Sequence, residues 1–93
     1  MAKAKKEKKK FDWHNFLLSG EKEAIHCETL EEIEQCIELM RKHGIIFFQS
    51  ASNYWNEYKN NVCFTNMRTY GMLNTYNRCG ISIYRFSAYD FED

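Results

Sequence analysis

The chain has no proline and only four glycines, Gly20, Gly44, Gly71 and Gly80, each standing alone. Isolated glycines exclude the clustered spacing of a phosphate-cradling loop or a nucleophile elbow, and each of these fits a cap or a turn. A paired-carboxylate motif is also missing. The four cysteines, spaced Cys27-x8-Cys36-x26-Cys63-x15-Cys79, and the three histidines contain neither CxxC nor HxxxH. Metal binding would then rest on composition alone, so no metal and no cofactor is expected. His26 and Cys27 are neighbours on a strand and point to opposite faces, which prevents them from forming a base–nucleophile pair with each other. Both read as packed strand residues, and the chain is expected not to be an enzyme.

Long apolar runs are lacking too. No segment approaches the length needed to span a bilayer, and FDWHNFLLSG, which follows the basic leader, is interrupted by Asp12, His14 and Asn15. The expectation is a cytoplasmic protein without membrane contact, its cysteines reduced and mostly buried.

What is present is a body of 93 residues, room for one small core, with 44% hydrophobic and 16% aromatic content. The formal net charge of +0 conceals three zones. Residues 1–10 carry six lysines against Glu7, and the remaining chain carries seven basic and twelve acidic side chains. Within that acidic body, residues 45–89 hold Lys59, Arg68, Arg78 and Arg85 against Glu57 alone, so an anionic ligand would be drawn to the second half of the chain. The leader MAKAKKEKKK reads as a disordered, solvated tail over residues 1–10, and residues 11–93 read as one domain.

Ala24 to Phe48 reads as a strand–helix–strand unit. Thr29 with Glu32 forms a capping box, and Gly44 after Arg41-Lys42-His43 is a stop with cations in the last turn. Leu30, Ile33, Cys36, Ile37, Leu39 and Met40 fall on one stripe at helical spacing, and Glu31, Glu34, Glu38 and Lys42 on the other side. Strands are predicted over 23–27, over 45–49 as a central strand built on IIFF, at VCFTN, and at ISIYRFS. Phe11 to Leu17 forms a short amphipathic turn or helix. Tyr54, Trp55 and Tyr58 sit on a helical turn or a loop, and Tyr70–Cys79 reads as an irregular excursion. The fold class is α+β, one main helix packed on a small mixed or antiparallel sheet in the order β-α-β-β-β.

The aromatic and guanidinium set Tyr54, Trp55, Tyr58, Asn66, Arg68, Tyr70 and Arg78 has the chemistry of a nucleotide pocket. Aromatic faces stack on bases, arginine pairs with phosphate, and asparagine can read an adenine edge. Against this, Trp55 and two of the tyrosines could equally close a small core while the arginines are solvated. So many late aromatics exceed what one small sheet buries, which favours a pocket or a contact between copies of the chain.

The succession of W-x-x-F at Trp13–Phe16, IHCETLEEIE at Ile25–Glu34, and Trp55 and Tyr58 ahead of NVCFTN resembles a group of small proteins encoded by phages and prophages of Gram-positive bacteria. The likeness covers most of residues 13–86 and leaves out the lysine leader. Its motifs are structural and carry over no activity. The resemblance implies a context, in which small phage proteins without enzymatic motifs counter host defence by sequestering its nucleotide signal or by covering a defence protein. The expected function is a non-enzymatic homo-oligomeric binding protein that sequesters a small signalling nucleotide, with Arg68 and Arg78 on phosphates and Trp55 with Tyr54 or Tyr58 sandwiching a base. The alternatives are a direct inhibitor of a defence nuclease, of anti-CRISPR type, that uses the acidic face Glu31, Glu34, Glu38, and, more weakly, a small nucleotide-processing enzyme.

Overall fold

A computed structural model describes residues 9–92 of the chain. In order, the elements are β1 (Lys9–Lys10), α1 (Trp13–Leu18), β2 (Glu23–Cys27), α2 (Leu30–Lys42), α3 (Ala51–Tyr58), β3 (Val62–Thr65), β4 (Tyr70–Met72), α4 (Leu73–Arg78), β5 (Ser82–Arg85) and β6 (Tyr89–Asp90). Single 3-10 turns lie at Gly20–Lys22, Lys59–Asn61 and Phe86–Ala88. The class is α+β.

The sheet has the order β4-β3-β2-β5, antiparallel from β4 to β2 and parallel between β2 and β5. Its central strands are buried on both faces, which explains why EAIHC and VCFT carry apolar residues at consecutive positions rather than alternate ones. The register of β2 with β3 sets Ile25 opposite Phe64 and Cys27 opposite Val62. These four side chains join the main core with Ile33, Cys36, Leu39 and Met40 of α2 and Tyr54 of α3. Ala24, His26, Cys63 and Thr65 point to the opposite face. There α4 crosses from β4 and β3 to β5, and the Tyr76 ring lies 3.5 Å from where a Cβ on Gly71 would stand.

Helix α2 forms where its caps place it. Thr29 Oγ1 accepts from the Glu32 amide at 3.1 Å, and the Glu32 carboxylate accepts from the Glu28 amide at 2.9 Å. At the far end Gly44 adopts φ 86°, and the Ile45 amide returns to the Met40 carbonyl at 2.9 Å.

The strand expected over 45–49 does not form. Ile45 and Phe47 turn into the core while Ile46 and Phe48 face outward, Phe48 being 86% exposed. The alternation is that of a strand, yet the chain runs directly into α3, which packs beside α2 on the same face of the sheet. The segment therefore stays above the sheet, and the parallel neighbour of β2 is β5 instead. The excursion expected over Tyr70–Cys79 is also corrected: it is the edge strand β4 followed by α4.

The two ends of the described chain are clasped. β1 pairs in parallel with β6, the Phe11 amide donates to the Asp90 carbonyl at 2.9 Å, and the Phe11 and Phe91 rings lie 4.4 Å apart. Lys9 and Lys10, assigned above to the leader, are part of this clasp, and the rest of the leader lies outside the described residues. Among the described residues no helix is long and apolar enough to cross a membrane.

Candidate functional site

Helix α3 begins where the Ser50 hydroxyl accepts from the Asn53 amide at 3.3 Å. It ends at Lys59, whose amide still bonds to the Trp55 carbonyl but whose backbone stands at φ 54°, ψ −129°. That is left-handed territory suited to glycine, and a lysine there is strained. The following turn is anchored from below, because the His26 ring presents Nε2 to the Asn60 carbonyl at 2.7 Å. A carbonyl only accepts, so Nε2 carries the proton. His26 is 6% exposed, which makes the anchor a buried one.

The helix buries its aromatics to different depths against the core. Tyr54 is 1% exposed, with its ring edge-on to Phe47, Phe64 and Tyr70 at 6.2, 5.2 and 4.7 Å. Burial raises its hydroxyl pKa. A ring enclosed in this way has no face left for a base, so Tyr54 belongs to the core. Tyr58 and Tyr70 are half-buried, 6.0 Å apart edge to face, and the Tyr70 hydroxyl accepts from Gln49 Nε2 at 2.7 Å. Trp55 is half-buried as well, and the Lys59 ammonium lies 5.6 Å from its ring centroid.

The remaining candidates lie elsewhere. Asn66 Nδ2 donates to the carbonyls of Phe16 at 2.7 Å and Leu17 at 3.0 Å, closing the end of α1, and this occupies its donors structurally. Arg68 is exposed at φ 66° in the β3–β4 turn, beyond the Thr65 end of β3. Arg78 is exposed in the last turn of α4, shortly before Ser82, which pairs with Glu23 at that same end of the sheet. Lys59 and Trp55 adjoin the Val62 end. Within one chain the structure thus brings Tyr58 and Tyr70 into ring contact, sets Trp55 beside Lys59 on the same helix, and places Asn66, Arg68 and Arg78 elsewhere.

Lys59 is among the cations of residues 45–89 but stands outside the expected aromatic and guanidinium set. Its signal was nonetheless present, since Trp55 and Lys59 are four apart, the helical spacing that brings two side chains together.

One cysteine–histidine arrangement does arise. His26 stands directly opposite Cys63 on the face under α4. Burial raises the Cys63 thiol to about 12, and the residue has no solvent exposure, so it remains a protonated and enclosed thiol at neutral pH. Cys27 is likewise raised, first by burial and then by Cys36. The four cysteines are free, with only Cys79 exposed. Among the described residues no group of three His, Cys, Asp or Glu side chains could hold a metal ion.

A hollow of about 240 Å³ lies beside the clasp, lined in part by Lys9, Lys10, Asn15, Glu23, Tyr84 and Tyr89. Both of its carboxylates are already engaged, because Glu23 Oε2 accepts from Asn15 Nδ2 at 3.0 Å and from the Tyr84 hydroxyl at 3.2 Å, and Asp12 Oδ1 accepts from the Asn15 amide at 3.0 Å. Compared with protein-family models, curated proteins and solved structures, the chain matches none.

Proposed function

We propose that the chain is a non-enzymatic binding protein that holds a small anionic nucleotide against the Trp55 ring of α3. In line with the phage resemblance, it would act by withdrawing a signalling nucleotide from a bacterial defence system. The observation that carries this reading is the pairing of the half-buried Trp55 ring, which packs on the core, with a cation at 5.6 Å, three residues before Tyr58 on the same helix. An aromatic face and a nearby ammonium are what a base and its phosphate require. A second copy of the chain would enclose the ligand. Phe48 at 86%, Met72 at 45% and Ile46 at 37% exposure supply apolar area for such a contact.

The test is to incubate purified protein with host lysate, release whatever small molecule is retained, and identify it by mass, with light scattering for the mass of the assembly. A retained nucleotide on an oligomer is the expected result. An empty monomer that co-purifies a large host protein removes this reading. It would favour direct inhibition through α2, where Glu31, Glu34 and Glu38 are exposed along one side. Charge reversal along that side should then abolish the inhibition.

A further inference from the structure

The cation assigned to the phosphate is open to choice, because the chain offers Arg68, Arg78 and Lys59. We propose that Lys59 is the phosphate-contacting residue of the α3 site and that Trp55 is the stacking platform it serves. This inference rests on the nucleotide reading above and deepens it.

Two independent features single out Lys59. Its ammonium already lies 5.6 Å from the Trp55 centroid, whereas Arg68 and Arg78 occupy the far end of the sheet from Trp55. Its backbone stands at φ 54°, ψ −129°, where glycine would relieve strain, yet a long cationic side chain occupies the position. The strain is held in place by the turn that follows, whose Asn60 carbonyl is tied to the buried His26 ring at 2.7 Å. The helix therefore ends abruptly, and the lysine side chain is carried back over the ring four residues before it. A base entering the Trp55 face displaces the ammonium from the ring, and the flexible arm can follow to a phosphate on the sugar of that nucleotide. The exchange replaces a weak cation–π contact with a charge-assisted hydrogen bond. A single ammonium is a compact point charge that meets one phosphate, so the ligand class is a nucleotide with at least one phosphate, such as a mononucleotide or a cyclic nucleotide.

The experiment measures binding of AMP, ATP, a cyclic dinucleotide and unphosphorylated adenosine by calorimetry for five proteins. These are the wild type and the variants Lys59→Met, Lys59→Gly, Arg68→Ala and Arg78→Ala. The wild type should bind the phosphorylated probes more tightly than adenosine. Lys59→Met, which removes charge but keeps the arm, and Lys59→Gly, which also relieves the backbone, should each weaken phosphorylated probes by about tenfold or more. Both should leave adenosine binding near the wild-type level. Lys59→Gly should also melt at or above the wild-type temperature, which separates loss of contact from loss of fold. Arg68→Ala and Arg78→Ala should bind as the wild type does. If the wild type binds and either arginine variant fails while both lysine variants bind normally, the phosphate contact is made by an arginine, for example from a second copy, and the assignment of Lys59 is overturned. If the wild type binds no probe, the nucleotide reading itself falls and takes this inference with it.

Discussion

The indole Nε1 of Trp13 donates to the Phe91 carbonyl at 2.8 Å, a buried bond between residues 78 apart in the chain. Trp13 also stacks on His43 at 4.2 Å and 20°, so one side chain ties the first helix, the end of α2 and the C-terminal segment together. Trp13→Phe keeps an aromatic ring but leaves the Phe91 carbonyl without its donor. The expected loss is about 1–3 kcal/mol, read as a lower denaturant midpoint at unchanged slope. A midpoint equal to that of the wild type would show that the bond contributes nothing.

The same clasp sets how much of the N-terminus can be removed. A lysine-rich sequence offers little apolar side chain for a core, so deleting residues 1–8 should leave the melting temperature unchanged. Extending the deletion through Phe11 removes a 6%-exposed ring that packs on Phe91, Trp13 and Phe16. That deletion should cost about 3–5 kcal/mol, the range for loss of a buried aromatic, and calorimetry of both truncations checks the contrast.

On α2 the two sides should respond very differently. Ile33 has no exposure and packs in the core, so Ile33→Ala should cost about 2–5 kcal/mol. Glu34 is exposed on the adjacent position, and Glu34→Ala should stay within about 0.5 kcal/mol. Ile37 is only half-buried and should fall between the two. Equal unfolding midpoints for Ile33→Ala and Glu34→Ala would contradict the packing.

The thiols give a prediction in both reactivity and pH. A thiol reagent should label Cys79 rapidly in the native protein, and Cys27, Cys36 and Cys63 only as the protein unfolds. Cys63 is raised to about 12, while the unfolded chain ionises near the ordinary thiol value of about 8.5–9. Below that value the thiol is protonated in both states and stability does not change through it. Between roughly 9 and 12 the unfolded state loses its proton first, so stability falls as pH rises. Cys27, Tyr54, Tyr58, Tyr76 and Tyr84 are raised in the same direction and act with the same sign. Denaturant midpoints across that window should fall steadily, and Cys63→Ala should flatten part of the slope. A flat profile would mean that these groups ionise alike in both states.

Elements whose signals are local were legible in the residues. Thr29, Glu32 and Gly44 mark α2 because capping chemistry acts within a few residues, and Glu23–Cys27 and Val62–Thr65 were readable as strands from their apolar runs. The segment Ile45–Phe48 carries an equally strong run and forms no strand. A run of apolar residues determines only that some of them are buried, and the packing of α3 beside α2 determined which surface buries them. The candidate site divides in the same way. The supply of aromatics and cations in residues 45–89 is a property of the sequence, as is the spacing of Trp55 and Lys59. Only the tertiary structure decided that Tyr54 faces inward, that Asn66 closes α1, and that Arg68 and Arg78 stand at the other end of the sheet from Trp55. Those outcomes depend on strand register and on which side of a helix meets the core, relations between residues far apart in the chain that no local preference encodes.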